Sequence, residues 1–257
     1  GFDGILYAAK AGYYSSSGLA ILNNSWGGGG YNIFEQATIE VAHNDYNAVI
    51  VAAAGNDHIH MAHYPSSYEH VISVTASGPG DNWGHWATYH ETVDLSSPGE
   101  EIMSTVIQYN NSNNAYRSWW GTSMASPIAA GSIGLLSAYN PTWNNTQLET
   151  MILATADPII YDINPDNYIQ DRLGTGRVDP FRALITPLFP SLELSASDIS
   201  IIGNEDNIID GGETINVIAI LFNNPDWGVA LDANLFLSTN SNYITIENPN
   251  IFANDIA

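Results

Sequence analysis

Gly121-Thr-Ser-Met-Ala-Ser-Pro127 runs straight into Ile128, Ala129, Ala130, Ile133, Leu135 and Leu136. One serine, Ser123, stands where a glycine-led loop enters a helix of small and apolar residues. That helix is expected from Ser126 to Tyr139, with Pro127 in its first turn and Pro141 just past its end. Few polar residues interrupt it, so it is buried on most sides. The Ser123 hydroxyl can be a helix cap, the commonest use of serine at such a junction. It can also be a nucleophile, provided that a base takes its proton.

Upstream, apolar runs alternate with helical spacing. Leu19-Ala-Ile-Leu22 is a short buried strand that ends at Asn23-Asn24-Ser25, ahead of glycines 27 to 30. Ile33, Phe34, Ala37 and Val41 recur at the period of a helix from Asn32 to about Asp45. Ala48 to Ala54, a continuous apolar run, and Val71-Ile-Ser-Val-Thr75 are read as fully buried strands. Strand, helix, strand at this spacing indicates an α/β fold with a mostly parallel sheet. Downstream, Thr146-Gln-Leu-Glu149 reads as a capping box, with Leu148, Met151 and Ile152 facing inward. From about Pro187 the texture changes to Asn- and Asp-rich turns between runs such as Thr214 to Leu221 and Asn234 to Ser238. Short strands so spaced predict a β-sandwich, here with too few strands to be whole.

The 257 residues carry five basic against 27 acidic side chains, a formal charge of -22. No basic patch exists to neutralise phosphates, which argues against nucleic acid as a partner. With 45% hydrophobic residues and 7 Trp there is ample material for a core. The absence of cysteine rules out disulfides and a thiol nucleophile. No apolar run reaches the roughly 18 residues of a membrane span. The chain starts and stops in mid-phrase and is expected to be a piece of a longer protein. Its oligomeric state is not legible.

Three separate stretches fit one acyl-transfer device. Ser123, at a helix entrance, offers its own N–H and the helix dipole to a developing negative charge. Asn56 follows a buried strand through Gly55, where side chains point into the crevice of an α/β sheet. Ser25-Trp26-Gly27-Gly28 ends the neighbouring strand with exposed backbone that an extended peptide can pair with. Together these resemble the subtilisin-like serine peptidases (subtilases): Gly121 to Pro127 the nucleophile motif, Ala52-Ala-Ala-Gly-Asn56 the oxyanion segment, Asn24-Ser-Trp-Gly-Gly28 the cleft strand. Tyr64-Pro65, Val71 to Ala76, Asp94-Leu-Ser-Ser-Pro-Gly99 and Gly174-Thr-Gly-Arg-Val-Asp179 follow in the family's order.

The resemblance implies a three-layer subtilisin-like domain over 1–186, incomplete at its N-terminus, then a partial, Ig-like β-sandwich over 187–257. It implies Ser123 as nucleophile and Asn56 as oxyanion donor, with Ser25, Trp26, Gly27, Ala53, Ala54 and Gly55 lining the substrate cleft. Protein or peptide substrates and a secreted or cell-surface location go with it. Ile128 replaces the family's usual histidine after the motif proline. The family's Asp-Thr-Gly (or Asp-Ser-Gly) and His-Gly-Thr-His motifs, which carry the other two triad members, occur nowhere in these residues. Ser123 therefore lacks a base within the chain, which is expected to be inactive by itself.

Other readings remain beside this one. A non-catalytic subtilase-like scaffold for binding or adhesion would need no base. An α/β-hydrolase would want G-x-S-x-G, but Ala125 holds the last position and Trp119-Trp120 shows no convincing strand. Of the seven histidines, His58, His60 and His63 form an H-x-H-x-x-H loop that can bind zinc, though no helical ligand pair supports it. His43 is read as a cation at a helix C-terminus; His70, His85 and His90 carry no reading. No metal ligand is assigned, and calcium is held open for the acidic stretches Asp157 to Asp171 and Gly203 to Glu213.

Overall fold

The apolar runs pair side by side. In chain order, α1 (Phe2–Tyr13), β1 (Ala20–Asn24), α2 (Ile33–Glu40), β2 (Ala48–Ala53), β3 (Ile72–Ser77) and β4 (Leu95–Pro98) build the first part of the molecule. The strands lie in the order β1-β2-β3-β4 and every pair is parallel. The computed structural model describes residues 1–107, 115–202, 214–236, 238, 245–246, 250–252 and 256. Two compact units result, Gly1–Thr186 and Pro187–Ala257.

β2 is buried at every position, as a strand covered on both faces must be. Its Ala48, Ile50 and Ala52 pack with Ile5 and Ala9 of α1 and with Ile39 of α2. Alternation turns Val49 and Val51 to the opposite face. On that side lies α3 (Thr122–Tyr139), reached through the antiparallel pair β5 (Ile102–Thr105) and β6 (Tyr116–Trp119). Ala125, Ala129 and Ile133 of α3 are fully buried. The architecture is a three-layer α/β sandwich. α4 (Asn145–Ala154), α5 (Ile159–Ile163) and α6 (Pro180–Ile185) complete this unit.

Several local expectations shift. α2 is capped by Asn32, whose side chain accepts from Phe34 N–H, and continues as a π-helical turn, Val41–Asp45. Yet Ile33 and Phe34 are 62% and 81% exposed, and Val41 is exposed too. Gln36, Ile39, Ala42 and His43 face inward instead. Gln36 earns its place by exchanging two hydrogen bonds with the Glu69 backbone, which an apolar count overlooks. His43 stands in the last turn, where a cation is favoured, but it is buried and partnered: its Nε2 lies 3.0 Å from Glu149 Oε2, and its ring stacks on His70 at 4.2 Å. Burial pulls this imidazole down, but Glu149 and Asn44 outweigh burial and hold its pKa above the ordinary value.

α3 starts four residues earlier than expected, so Pro127 sits in its second turn. The capping box of α4 is two residues earlier, Asn144 with Gln147, while Leu148, Met151 and Ile152 are fully buried. β6 is a strand where none was expected, but it pairs only with β5, outside the parallel sheet. α1 has no counterpart in the sequence reading, since only Ile5 and Ala9 of its twelve residues are buried.

In the second unit β7 (Leu192–Ile202) pairs antiparallel with β8 (Thr214–Asn223), and β9 (Asn234–Phe236) with β10 (Asn250–Phe252). These pairs resemble part of a β-sandwich. Asn223, 1% exposed, accepts from Ser191 N–H and donates to the Gly228 and Ile256 carbonyls. Among the described residues no helix is long and apolar enough to cross a membrane.

One buried carboxyl gives a testable pH dependence. Asp94 Oδ2 accepts from Ser73 N–H at 2.8 Å, and burial raises its pKa to about 6. A carboxyl with a folded pKa above its unfolded value binds more protons when folded. Stability is then greatest below the unfolded pKa near 3.8 and falls as pH rises through about 6. Asp94→Asn keeps the acceptor for Ser73 and removes the titration. In urea unfolding at pH 4 and pH 7.5, the native chain should lose on the order of 2 kcal/mol more than the variant. Equal losses would show that Asp94 is not held protonated.

Candidate active site

The ends of β1 and β2 and the start of α3 meet at one place. β1 finishes at Asn24, whose Nδ2 donates to the Val51 carbonyl on β2 and whose Oδ1 accepts from Trp26 Nε1. Trp26 also sets its ring edge-on to Phe2. β2 finishes at Ala53; Ala54 still donates to Val74, and the chain then turns at Gly55, where φ is +106°. That backbone conformation excludes most side chains and swings Asn56 toward α3.

Thr122 fixes the amide of Asn56. Its N–H and its Oγ1 both donate to Asn56 Oδ1 at 2.9 Å, and Gly55 N–H donates to Thr122 Oγ1. With Oδ1 so occupied, the orientation of the amide is set by its network. Asn56 Nδ2 then finds no acceptor among the described residues, and neither does Ser123 N–H in the first turn of α3. Two donors are thus left open beside Ser123.

Ser123 is not the cap of its helix. The N-cap is Gly121, without a side-chain cap bond. Ser123 Oγ donates to the Ser25 carbonyl at 3.3 Å, and Ser25 Oγ donates to the Ser123 carbonyl at 2.9 Å. The second bond has a simple origin. Residue 127 would ordinarily donate to the carbonyl of residue 123, but Pro127 has no N–H. Ser25 takes up the orphaned acceptor and ties the serine to the end of β1. Among the described residues no imidazole is hydrogen-bonded to Ser123 Oγ.

Of the cleft residues named from sequence, Ser25 touches Ser123, Ala53 and Ala54 are buried, and Trp26 is 42% exposed. Gly27 and Gly55 share a neighbour that sequence reasoning missed. A Cβ on Gly27 would lie 2.1 Å from His63 Cε1, and one on Gly55 would lie 3.1 Å from His63 Cδ2. The His63 ring therefore fills the gap between the two segments. Its Nδ1 is buried without a hydrogen-bond partner among the described residues, and burial lowers its pKa despite the Ala53 carbonyl and Asp57. The two glycines facing each other from separate strand ends were the only sequence signal of room there.

The histidine triplet does not assemble. His58 stacks on Trp83 at 5.7 Å, His63 sits as described, and His60 turns toward Glu91. Of the acidic stretches held open for calcium, Asp157 is engaged by Arg177 and by Ile159 N–H; Gly203 to Glu213 lies outside the described residues.

Comparison with known proteins is consistent with this geometry. The chain is 40% identical over 150 residues to the cell wall-associated protease of Bacillus subtilis (strain 168), covering 58% of this chain and 16% of that protein. It is 34% identical over 138 residues to the halolysin-like extracellular serine protease Nep of Natrialba magadii, covering 54% of this chain and 23% of that one. The chain thus spans less than a quarter of the length of either relative. In fold it resembles a protease from Pseudoalteromonas arctica PAMC 21717, with a TM-score of 0.60 at 24% identity over 71% of this chain and 57% of the other. Residues 2–179 match the model of the subtilase family. The chain belongs to the subtilase family.

Proposed function

We propose that this chain supplies the nucleophile and the oxyanion donors of a secreted or cell-surface serine endopeptidase. The observation that carries this reading is the Thr122 clamp on Asn56 Oδ1, which leaves Asn56 Nδ2 and Ser123 N–H open beside Ser123 Oγ. Such preorganised donors stabilise the charge that develops when a hydroxyl attacks a carbonyl. Ser123 Oγ would attack the peptide carbonyl and form an acyl-enzyme, expelling the amine; water then releases the acid. The proton of Ser123 must pass to a base, and in the family's pattern that base is a histidine oriented by an aspartate. No such histidine reaches Ser123 within the described residues, so the chain alone is assigned no turnover. The names of the Bacillus and Natrialba relatives support the location.

The His63 ring between Gly27 and Gly55 leaves little depth for the residue preceding the scissile bond. We assign a preference for small side chains there.

The test has two parts. Chain 1–257 is assayed with fluorogenic peptides and should show no hydrolysis above buffer. The coding region upstream of Gly1 is read for Asp-[Thr/Ser]-Gly followed by His-Gly-Thr-His, and the longer product is assayed with and without Ser123→Ala. Hydrolysis that Ser123→Ala abolishes supports the reading. An upstream domain with either residue replaced, and an inert longer product, would favour the scaffold, which the donation of the Ser123 proton to Ser25 also permits.

A further inference from the structure

When the histidine triplet scatters, a different set of ligands comes together. His60 Nε2 lies 2.7 Å from Glu91 Oε2, and His90 Nε2 lies 3.5 Å from the same oxygen. The three ligand atoms lie within 4.8 Å of one another. Zinc bonds of about 2.0–2.2 Å to nitrogen and oxygen place neighbouring ligands of a tetrahedron about 3.3–3.5 Å apart. The His90 distance already matches. The His60 distance needs to open by about 0.6 Å, a small rotation for two exposed side chains.

The surroundings hold these groups in place. Arg172 Nε binds the other carboxylate oxygen, Glu91 Oε1, at 2.8 Å, while its Nη1 donates to the Tyr168 carbonyl. These bonds fix the carboxylate through Oε1 and leave Oε2 to the two imidazoles. His90 Nδ1 lies 3.0 Å from Thr92 Oγ1, itself 2.6 Å from Ser67 Oγ. A ligating imidazole requires such an acceptor behind it. Thr92 N–H donates to His90 Nδ1 at 3.2 Å, and metal binding at Nε2 would move the ring proton to Nδ1, giving up this bond and turning the ring to donate to Thr92 Oγ1. The His60 ring lies nearly parallel to that of Tyr89, 19° between planes, and residues 60 and 89 form a backbone bridge. Both ligand-bearing segments are therefore joined before any ion arrives.

We propose that His60, His90 and Glu91 bind a divalent transition metal, zinc foremost, with a non-protein ligand completing the tetrahedron. Two imidazoles and one carboxylate suit zinc and disfavour calcium, which wants oxygen alone. In the metal-free chain the hydrogen between His60 and Glu91 stands where the ion would be. The ion would clamp the segment from Asn56 to His63 onto residues 89–92. The site is independent of the proteolytic reading and is tested on the chain as it is.

Tag-free chain 1–257, stripped with a chelator, is titrated with Zn²⁺ by calorimetry and with Co²⁺ by visible absorption. One ion per chain is expected, together with a raised melting temperature. His60→Ala and His90→Ala should each weaken binding at least about tenfold, and Arg172→Gln about 10- to 100-fold although it removes no ligand. His58→Ala should leave binding unchanged. Circular dichroism of each metal-free variant checks its fold; if His90→Ala is unfolded, His60→Ala, at a 40% exposed position, decides alone. No saturable binding overturns the proposal, and so does binding that survives the loss of His60.

Discussion

Asn56→Asp is expected to lower kcat by at least about 10²–10³-fold in the competent protease, with KM little changed. The scale is that of one oxyanion donor, set by subtilisin, a member of this same family. The substitution is chosen for what it retains. A carboxylate oxygen still accepts from Thr122 N–H and Oγ1, both of which point at Oδ1 here. What disappears is the pair of Nδ2 protons, replaced by a negative charge beside the forming oxyanion. Melting temperature should therefore stay near that of the native protein while turnover collapses. A loss confined to kcat marks an interaction made only in the transition state. If kcat instead falls less than tenfold, the amide has no part in charge stabilisation. If melting temperature falls together with activity, Asn56 is a structural clamp and the oxyanion assignment fails.

His63→Gly carries the second large effect. Removing the ring opens the space between Gly27 and Gly55. Substrates with Phe or Leu before the scissile bond should gain in kcat/KM relative to Ala by on the order of 10–100-fold, the discrimination that shape in an apolar pocket can supply. The ratio of substrates is read within one variant, so partial loss of total activity does not confuse it. An unchanged ratio would place His63 outside the pocket. Hydrolysis independent of Ser123 would undermine the proteolytic reading itself, a separate result.

The parallel sheet was legible because β2 is an unbroken apolar run buried on both faces and β3, buried throughout, still carries Ile72, Val74 and Ala76 at alternate positions. The helix after Ser123 was legible from its run of small and apolar residues, although it is less buried than that run suggests, with Leu135 and Tyr139 on an exposed face. The amphipathic α2 was misread in detail: its period was right, but Gln36 and His43 take inward positions by hydrogen bonding, while Ile33 and Phe34 face out. Periodicity of apolar residues cannot register a polar side chain that satisfies a loop. The capping box of α4 slipped because Thr146–Glu149 and Asn144–Gln147 offer the same chemistry two residues apart, and only the observed pair engages.

The candidate site divides along the same line. Ser25, Asn56 and Ser123 lie in short motifs whose order in the chain could be read, and the structure brings them together. His63 could not be placed, because its position depends on two glycines that approach from separate strand ends. Nor could the meeting of His60 with Glu91, which depends on residues 57–63 folding back on 89–92. Both are products of tertiary packing and leave no periodic trace.

The bonds that set Ser123 and Asn56 join residues 98 positions apart in one case and 66 in the other. Contacts of such long sequence separation form late, since chain closure must precede them. A half-folded chain can hold α3 and still lack the Ser25 and Asn56 contacts. The arrangement around Ser123 thus acts as a checkpoint of folding: it exists only once the ends of β1 and β2 have met the start of α3.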